Sequence, residues 1–334
     1  MSRTLTTPGW LDIQVNGYAG TDFNSGTADP DGFERARAAQ RSLGVTRFLP
    51  TVITGTQAGM GECVRRIVEA RASSPELDAA MPAIHLEGPF ISAEDGARGA
   101  HPLECVRPPD LTLFEDLQAL AGGLVRLLTL APEHEGSLDF IARVTAAGTR
   151  VAIGHSLASS QRIREAVDAG ATLSTHLGNG LPNSLRRHPN PLFDQLAEPR
   201  LSASAIFDGH HLPDSVMRVI HRMKAPDSLV LTSDAVALAG MPAGVYEGQV
   251  GGKVELHASG RLTMYGSDYL AGSASSLLDG VNNALRVSGL DVPEVVRYVT
   301  EVPARLLGLP PSGATVGLAV AGGKVTVTGV TGQA

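Results

Sequence analysis

Residues 125–176 read VRLLTLAPEHEGSLDFIARVTAAGTRVAIGHSLASSQRIREAVDAGATLSTH. Three short apolar or β-branched runs, Val125–Leu130, Val151–Ile153 and Ala171–Ser174, alternate with two stretches of helical spacing, Ser137–Ala147 and Ser160–Ala169. Gly148 and Gly170 stand where each helix should stop, since glycine adopts the positive φ of a helix C-terminus without strain. Ser159 and Ser160 offer N-caps to the second helix. Strand–helix–strand alternation of this kind predicts βαβ units and a parallel sheet.

The same alternation continues in both directions. Further strands are expected at Leu11–Val15, Thr46–Val52, Ala83–Leu86, Ser202–Ile206 and Leu229–Leu231. Further helices are expected at Pro30–Leu43, Gln57–Ala72, Asp110–Ala121, Pro191–Leu196 and Pro213–Lys224. Eight strands in that order predict an α/β fold, a closed (β/α)8 TIM-type barrel. After the eighth strand the pattern changes. Pro242–Tyr265 is Gly-rich and alternates (Val250, Val254, Leu256, Leu262), as a hairpin or two would. Helices at Ala274–Ser288 and Pro293–Leu307 follow, and Ala314–Val330 reads as one or two strands. The expected organisation is a barrel over residues 1–310, with a β insertion at about 242–265, and a small β appendage over 311–334.

Composition narrows the class. The 334 residues are 43% hydrophobic and include 38 glycines, slightly richer in apolar residues than an ordinary globular chain and incompatible with disorder. The net charge of −7 argues against a nucleic-acid partner, which favours a basic face. Two cysteines, Cys63 and Cys105, make no disulfide framework. The N-terminus MSRTLTTPGW lacks a signal-type apolar region, and no uninterrupted apolar stretch is long enough for a membrane span. The expectation is a soluble, cytoplasmic protein.

Barrel enzymes carry their working groups at the C-terminal ends of strands. Here imidazoles and carboxylates end five of the eight expected strands: His85 and Glu87, His155, His176, Asp208 with His210 and His211, and Asp234. Glu87, His155 and His176 form a two-histidine, one-carboxylate donor set for a divalent first-row metal, with a position left for water. Each histidine could instead satisfy a buried hydrogen bond. Asp234 could exchange a proton with such a water, or simply cap its loop. His101, in the long loop after the third strand, could reach a carbonyl oxygen or lie at the surface. Arg186, Arg187 and His188 are a compact basic cluster suited to phosphate or carboxylate, or a solvated turn.

At these residues the sequence resembles the N-acetylglucosamine-6-phosphate deacetylase family of the amidohydrolase superfamily. The matching pieces are PGWLDIQVNGYAGTDF (8–23), HLEGPFI (85–91), GAH (99–101), GHSLA (154–158), THLGNGLP (175–182), DGHHL (208–212), TSDAVALAG (232–240) and LAGS (270–273), all in the family's order. The resemblance implies that Glu87, His155 and His176 hold the metal and that Asp234 is general base and acid. It implies that His101 contacts the substrate near the acetamide carbonyl. His211 looks like the substrate histidine of the family's DG-x-H element, and Arg187, eleven residues past His176, like its phosphate-binding arginine. Asn179 and Gly180 look like the backbone donors to that phosphate. In such proteins the DG-x-H histidine reaches the neighbouring subunit's site, which implies a homodimer.

Two-metal amidohydrolases carry His-x-His at the end of the first strand. Here the position reads Gln14-Val15-Asn16, and neutral amides are poor ligands beside imidazole. One divalent metal per subunit, zinc or iron(II), is therefore expected. Two departures from the family matter. Pro8-Gly9 begins almost at once, so the β-sandwich should be reduced to the tail and part of 242–265. Gly178 replaces a larger side chain in the THL-x-N-A-M element, which predicts a wider pocket beside the sugar. The expected activity is hydrolysis of N-acetylglucosamine 6-phosphate to glucosamine 6-phosphate and acetate. The rivals are hydrolysis of another small N-acyl or cyclic amide bearing an anionic group, and a non-catalytic sugar-phosphate-binding barrel.

Overall fold

The computed structural model of the chain describes residues 3–248 and 252–334. Eight parallel strands form the central sheet: Trp10–Val15, Val45–Ile53, Ile84–Glu87, Val125–Leu130, Arg150–Ile153, Ala171–Ser174, Ser202–Ala205 and Leu229–Leu231. Each pairs with its sequence neighbours. The first and last strands meet at their C-terminal ends, where the N–H groups of Asn16 and Gly17 both donate to the Ala235 carbonyl (2.8 and 3.1 Å). The buried Asp12 carboxylate reinforces the seam by accepting from Thr232 Oγ1 at 2.6 Å and from the Ser233 N–H at 3.2 Å. The eight expected strands are therefore the eight barrel strands, each within one or two residues of its expected bounds.

Helices cover the outside of the barrel. Asp29, Thr56, Asp110, Ser159 and Asn190 each accept a first-turn N–H as N-cap, a contribution of about 1 kcal/mol apiece. A short helix at Pro75–Ala80, capped by Ser74, was not among the expected elements. The expected helix over Pro293–Leu307 is three pieces: Val292–Val296, a 3-10 turn at Arg297–Val299, and Glu301–Leu307. The break falls at Thr300, which leaves helical geometry (φ −128°, ψ −84°). Pro303 lies one turn beyond and has no N–H with which to continue the helical ladder.

The tail forms a hairpin, Thr315–Ala321 and Lys324–Thr331, as expected of one or two strands. It also recruits Arg3–Pro8, which pairs antiparallel with Thr315–Ala321. The appendage thus draws on both ends of the chain, whereas the sequence reading gave residues 1–310 wholly to the barrel. Six residues of polar, β-branched composition carry little hydrophobic signal, and only the partner strand makes them a strand. The insertion is a separate three-stranded antiparallel sheet, Gly244–Gly248, Gly252–Leu256 and Leu262–Met264, over its own small core of Val254, Leu256 and Leu262. Val250, part of the alternation used to predict it, lies outside the described residues.

Candidate active site

The barrel gathers the expected metal ligands at one point. Glu87 is the last residue of the third strand, and His155 and His176 lie two residues past the fifth and sixth. All three are buried, and their ligand atoms lie within 4.8 Å of one another. Nε2 of His176 is 2.9 Å and Nε2 of His155 is 3.2 Å from Glu87 Oε1, and the two Nε2 atoms are 3.1 Å apart. His155 Nδ1 donates to the Ala97 carbonyl at 2.8 Å, which leaves its Nε2 lone pair facing the cluster. Such an outer hydrogen bond fixes tautomer and ring orientation in metal-binding histidines. Three buried N/O donors converging on one point, with no lysine or arginine among them, fit a divalent cation.

Backbone conformation marks the same residues. Among the described residues, four non-glycine residues have positive φ, and three of them are His155 (+51°), His176 (+30°) and Asp234 (+51°). L-residues in this region are strained by about 1 kcal/mol or more, and such strain persists only where the surroundings impose it. At these positions the chain turns sharply off a strand so that the side chain points across the barrel mouth.

Asp234 follows the eighth strand. Asn16 Nδ2 donates to its Oδ1 at 2.7 Å. Burial, then the Glu87 charge, push the Asp234 carboxyl up to about 6, against the opposing effects of His176, Asn16 and His211. For Glu87, burial acts upward too, but the neighbouring His155 and His176 rings outweigh it and hold the carboxyl well below the usual range. His101 is buried, with Nε2 3.9 Å from Glu87 Oε2. Burial, then the neighbouring His155, lower His101 to about 3, so its ring is a neutral imidazole near pH 7.

The first-strand amides behave as their chemistry requires. Gln14 Nε2 donates to Glu87 Oε1 at 2.8 Å, and Asn16 donates to Asp234. Both side chains present N–H groups to carboxylates, and an N–H is not a metal ligand.

The expected substrate-binding residues divide. His211 Nδ1 is 2.7 Å from Asp208 Oδ2, and the backbone N–H groups of His210 and His211 donate to Asp208 Oδ1. The His211 side chain is 13% exposed and is held by Asp208. Gly180 packs on the His155 ring, where a Cβ would lie 3.0 Å from Nδ1. The Asn179 N–H, expected to face phosphate, donates instead to the His176 carbonyl at 2.9 Å. The turn following His176 consumes it, and only the Gly180 N–H has no partner among the described residues. Arg186, Arg187 and His188 are exposed on the loop before the Pro191–Ala197 helix, and Arg187 forms no ion pair among the described residues. A Cβ at Gly178 would come within 2.9 Å of Leu212 Cδ2, so Leu212 stands beside this glycine.

Sequence reasoning passed over Glu133 and Asp12, and it gave Asp208 no role of its own. Glu133 follows the fourth strand and accepts hydrogen bonds from the loop after His155. Its signal was its place, three residues beyond a strand end, beside His134.

No family model matches the chain. It is 36% identical over 317 residues to the N-acetylglucosamine-6-phosphate deacetylase of Bos taurus, covering 91% of this chain and 75% of that one. It is 32% identical over 305 residues to an N-acetylgalactosamine-6-phosphate deacetylase of Escherichia coli O157:H7, covering 91% and 78%. Among solved structures it is similar to the N-acetyl-D-glucosamine-6-phosphate deacetylase of Mycobacterium smegmatis, with TM-score 0.86 and 31% identity over 98% of this chain and 86% of that one.

Proposed function

The chain belongs to the N-acetylglucosamine-6-phosphate deacetylase family, and from that premise we propose that it hydrolyses the acetamide of N-acetylglucosamine 6-phosphate to glucosamine 6-phosphate and acetate. The observation that carries this reading is the half-buried Asp234 carboxylate beside the Glu87–His155–His176 donor set, with Oδ1 held by Asn16. A sugar-binding barrel without chemistry has no use for a proton acceptor in that place.

One divalent cation, zinc or iron(II), held by Glu87, His155 and His176 supplies Lewis-acid activation of water near neutral pH. Asp234 accepts the proton of the attacking water on the oxygen that Asn16 leaves free. The neutral His101 ring donates an N–H to the acetamide oxygen as charge builds there. Asp234 then returns the proton to the sugar nitrogen, and the C–N bond breaks to give the free amine and acetate. His211, oriented by Asp208, contacts the sugar, and the Gly180 N–H and Arg187 bind the phosphate. Binding energy from that remote phosphate orients the amide for attack.

The test is acetate release from N-acetylglucosamine 6-phosphate by metal-reconstituted protein, with the non-phosphorylated sugar as control. Release from the phosphorylated sugar supports the reading, and tight binding without release overturns it. A second substrate has a specific ground, the 32% identity to a relative named for the galactosamine epimer, so N-acetylgalactosamine 6-phosphate belongs in the same assay. No helix among the described residues is long and apolar enough to cross a membrane, and the proposed site of action is the cytoplasm. The proposed homodimer rests on the resemblance, and sedimentation velocity tests it.

A further inference from the structure

We infer that Glu133 is a positioning residue for metal binding, holding the loop after His155 so that this strained ligand keeps its aim. The inference rests on the metal reading given above.

His155 has three sets of anchors. Its ring Nδ1 donates to the Ala97 carbonyl at 2.8 Å. Its own carbonyl accepts from the Ser92 N–H at 2.9 Å. The third set is the two residues that follow it. Ser156 Oγ donates to Glu133 Oε2 at 2.6 Å, and the Leu157 N–H donates to Glu133 Oε1 at 2.7 Å. Both carboxylate oxygens are thus spent on the residues immediately after the ligand. Ser156 Oγ also accepts from the Ala158 N–H at 3.1 Å, which closes the turn.

Glu133 has no basic partner among the described residues, so ion pairing does not explain it. Its own segment is rigidly placed. Ser137 Oγ donates to the carbonyls of Pro132 (2.5 Å) and His134 (2.6 Å), and the Ala131 N–H donates to the Phe90 carbonyl at 2.9 Å. A fixed carboxylate therefore grips the turn that follows His155. Hydrogen bonds to a charged acceptor are the strong ones, and they offset the cost of φ +51° at His155. A metal ligand must be held to within about 0.5 Å, and loosening the outer shell of a site typically weakens metal binding about 10- to 100-fold.

The test uses zinc and the full chain, comparing wild type with Glu133→Gln and Ser156→Ala. Glutamine keeps the shape of Glu133 but presents an NH2 to one of the two donors. Zinc dissociation constants come from competition with a chromophoric chelator, and melting temperatures are measured with and without zinc. We expect zinc affinity to fall about 10-fold or more in Glu133→Gln, with a smaller rise in melting temperature on adding zinc. A merely structural role would lower both melting temperatures equally and leave the zinc constant unchanged, and that result overturns the inference. Should Glu133→Gln fail to fold, Ser156→Ala decides: weaker zinc supports the role and unchanged zinc refutes it. Wild-type protein that binds no zinc would sink the metal site itself, whereas wild-type binding with both variants unaltered sinks only the role of Glu133.

Discussion

Asn16 and Asp234 lie 218 positions apart in the chain, and the side-chain amide of the first donates to Oδ1 of the second at 2.7 Å. The pair spans the seam where the first barrel strand meets the last. Each residue sits just beyond its strand, and the backbone N–H of Asn16 also reaches the carbonyl of Ala235. The bond settles which carboxylate oxygen faces the site, and it favours the ionised form of a half-buried acid. It also gives the asparagine at this position a role, since its side chain serves the acid.

Asp234→Asn removes the proton acceptor and keeps the shape. The expected result is a fall in kcat of about a hundred- to ten-thousand-fold with metal content unchanged. Steady-state kinetics with metal analysis on the same preparation check it, and near wild-type turnover would take Asp234 out of its role.

The pH profile follows from the same residue. Asp234 must be ionised to accept a proton, and burial and Glu87 push it up to about 6. Activity should therefore be lost as pH falls through that region and recovered above it. A bound cation favours the carboxylate, so the limb of kcat/KM in the loaded enzyme should lie at or below about 6. Asn16→Ala removes a bond to the charged form and should move the limb to higher pH. A limb that stays in place in that variant would contradict the pairing.

Metal removal by a chelator should abolish turnover, and one equivalent per chain should restore it in full. Both first-strand amides give their N–H groups to carboxylates, and a neutral amide is a poor ligand beside imidazole. Titration of activity against added zinc, with metal content measured at each point, checks the number. A requirement for two equivalents would show that the Gln14–Asn16 argument is wrong.

Arg187→Ala should raise KM for the phosphorylated sugar about tenfold or more, the scale of a lost charge-assisted hydrogen bond, and leave the slow reaction of the non-phosphorylated sugar unaltered. The comparison of the two substrates is the measurement. Equal effects on both would place Arg187 outside the phosphate site.

Gly180→Ala tests the packing of the loop on its ligand. The residue has φ +61°, and an added Cβ would stand 3.0 Å from His155 Nδ1. The expected loss is about 1–3 kcal/mol of stability, read as a drop in melting temperature, with weaker zinc binding because the contact is to the ligand itself. Unaltered melting and zinc binding would show that the loop yields freely.

The sequence alone determined the barrel and the three ligands. Alternating strand and helix periods are local, and side chains ending strands converge wherever a parallel sheet closes. Glu87, His155 and His176 were therefore legible without coordinates. Interactions whose partner is distant in the chain were not. Arg3–Pro8 becomes a strand only against Thr315–Ala321, and Leu212 is the residue that stands beside Gly178. The Asn179 N–H is consumed by its own turn, and Asp208 holds the His211 ring. Periodicity reports which face a side chain occupies, but hydrogen-bond partners and filled volumes depend on which segments meet in space, and only the tertiary structure decided those.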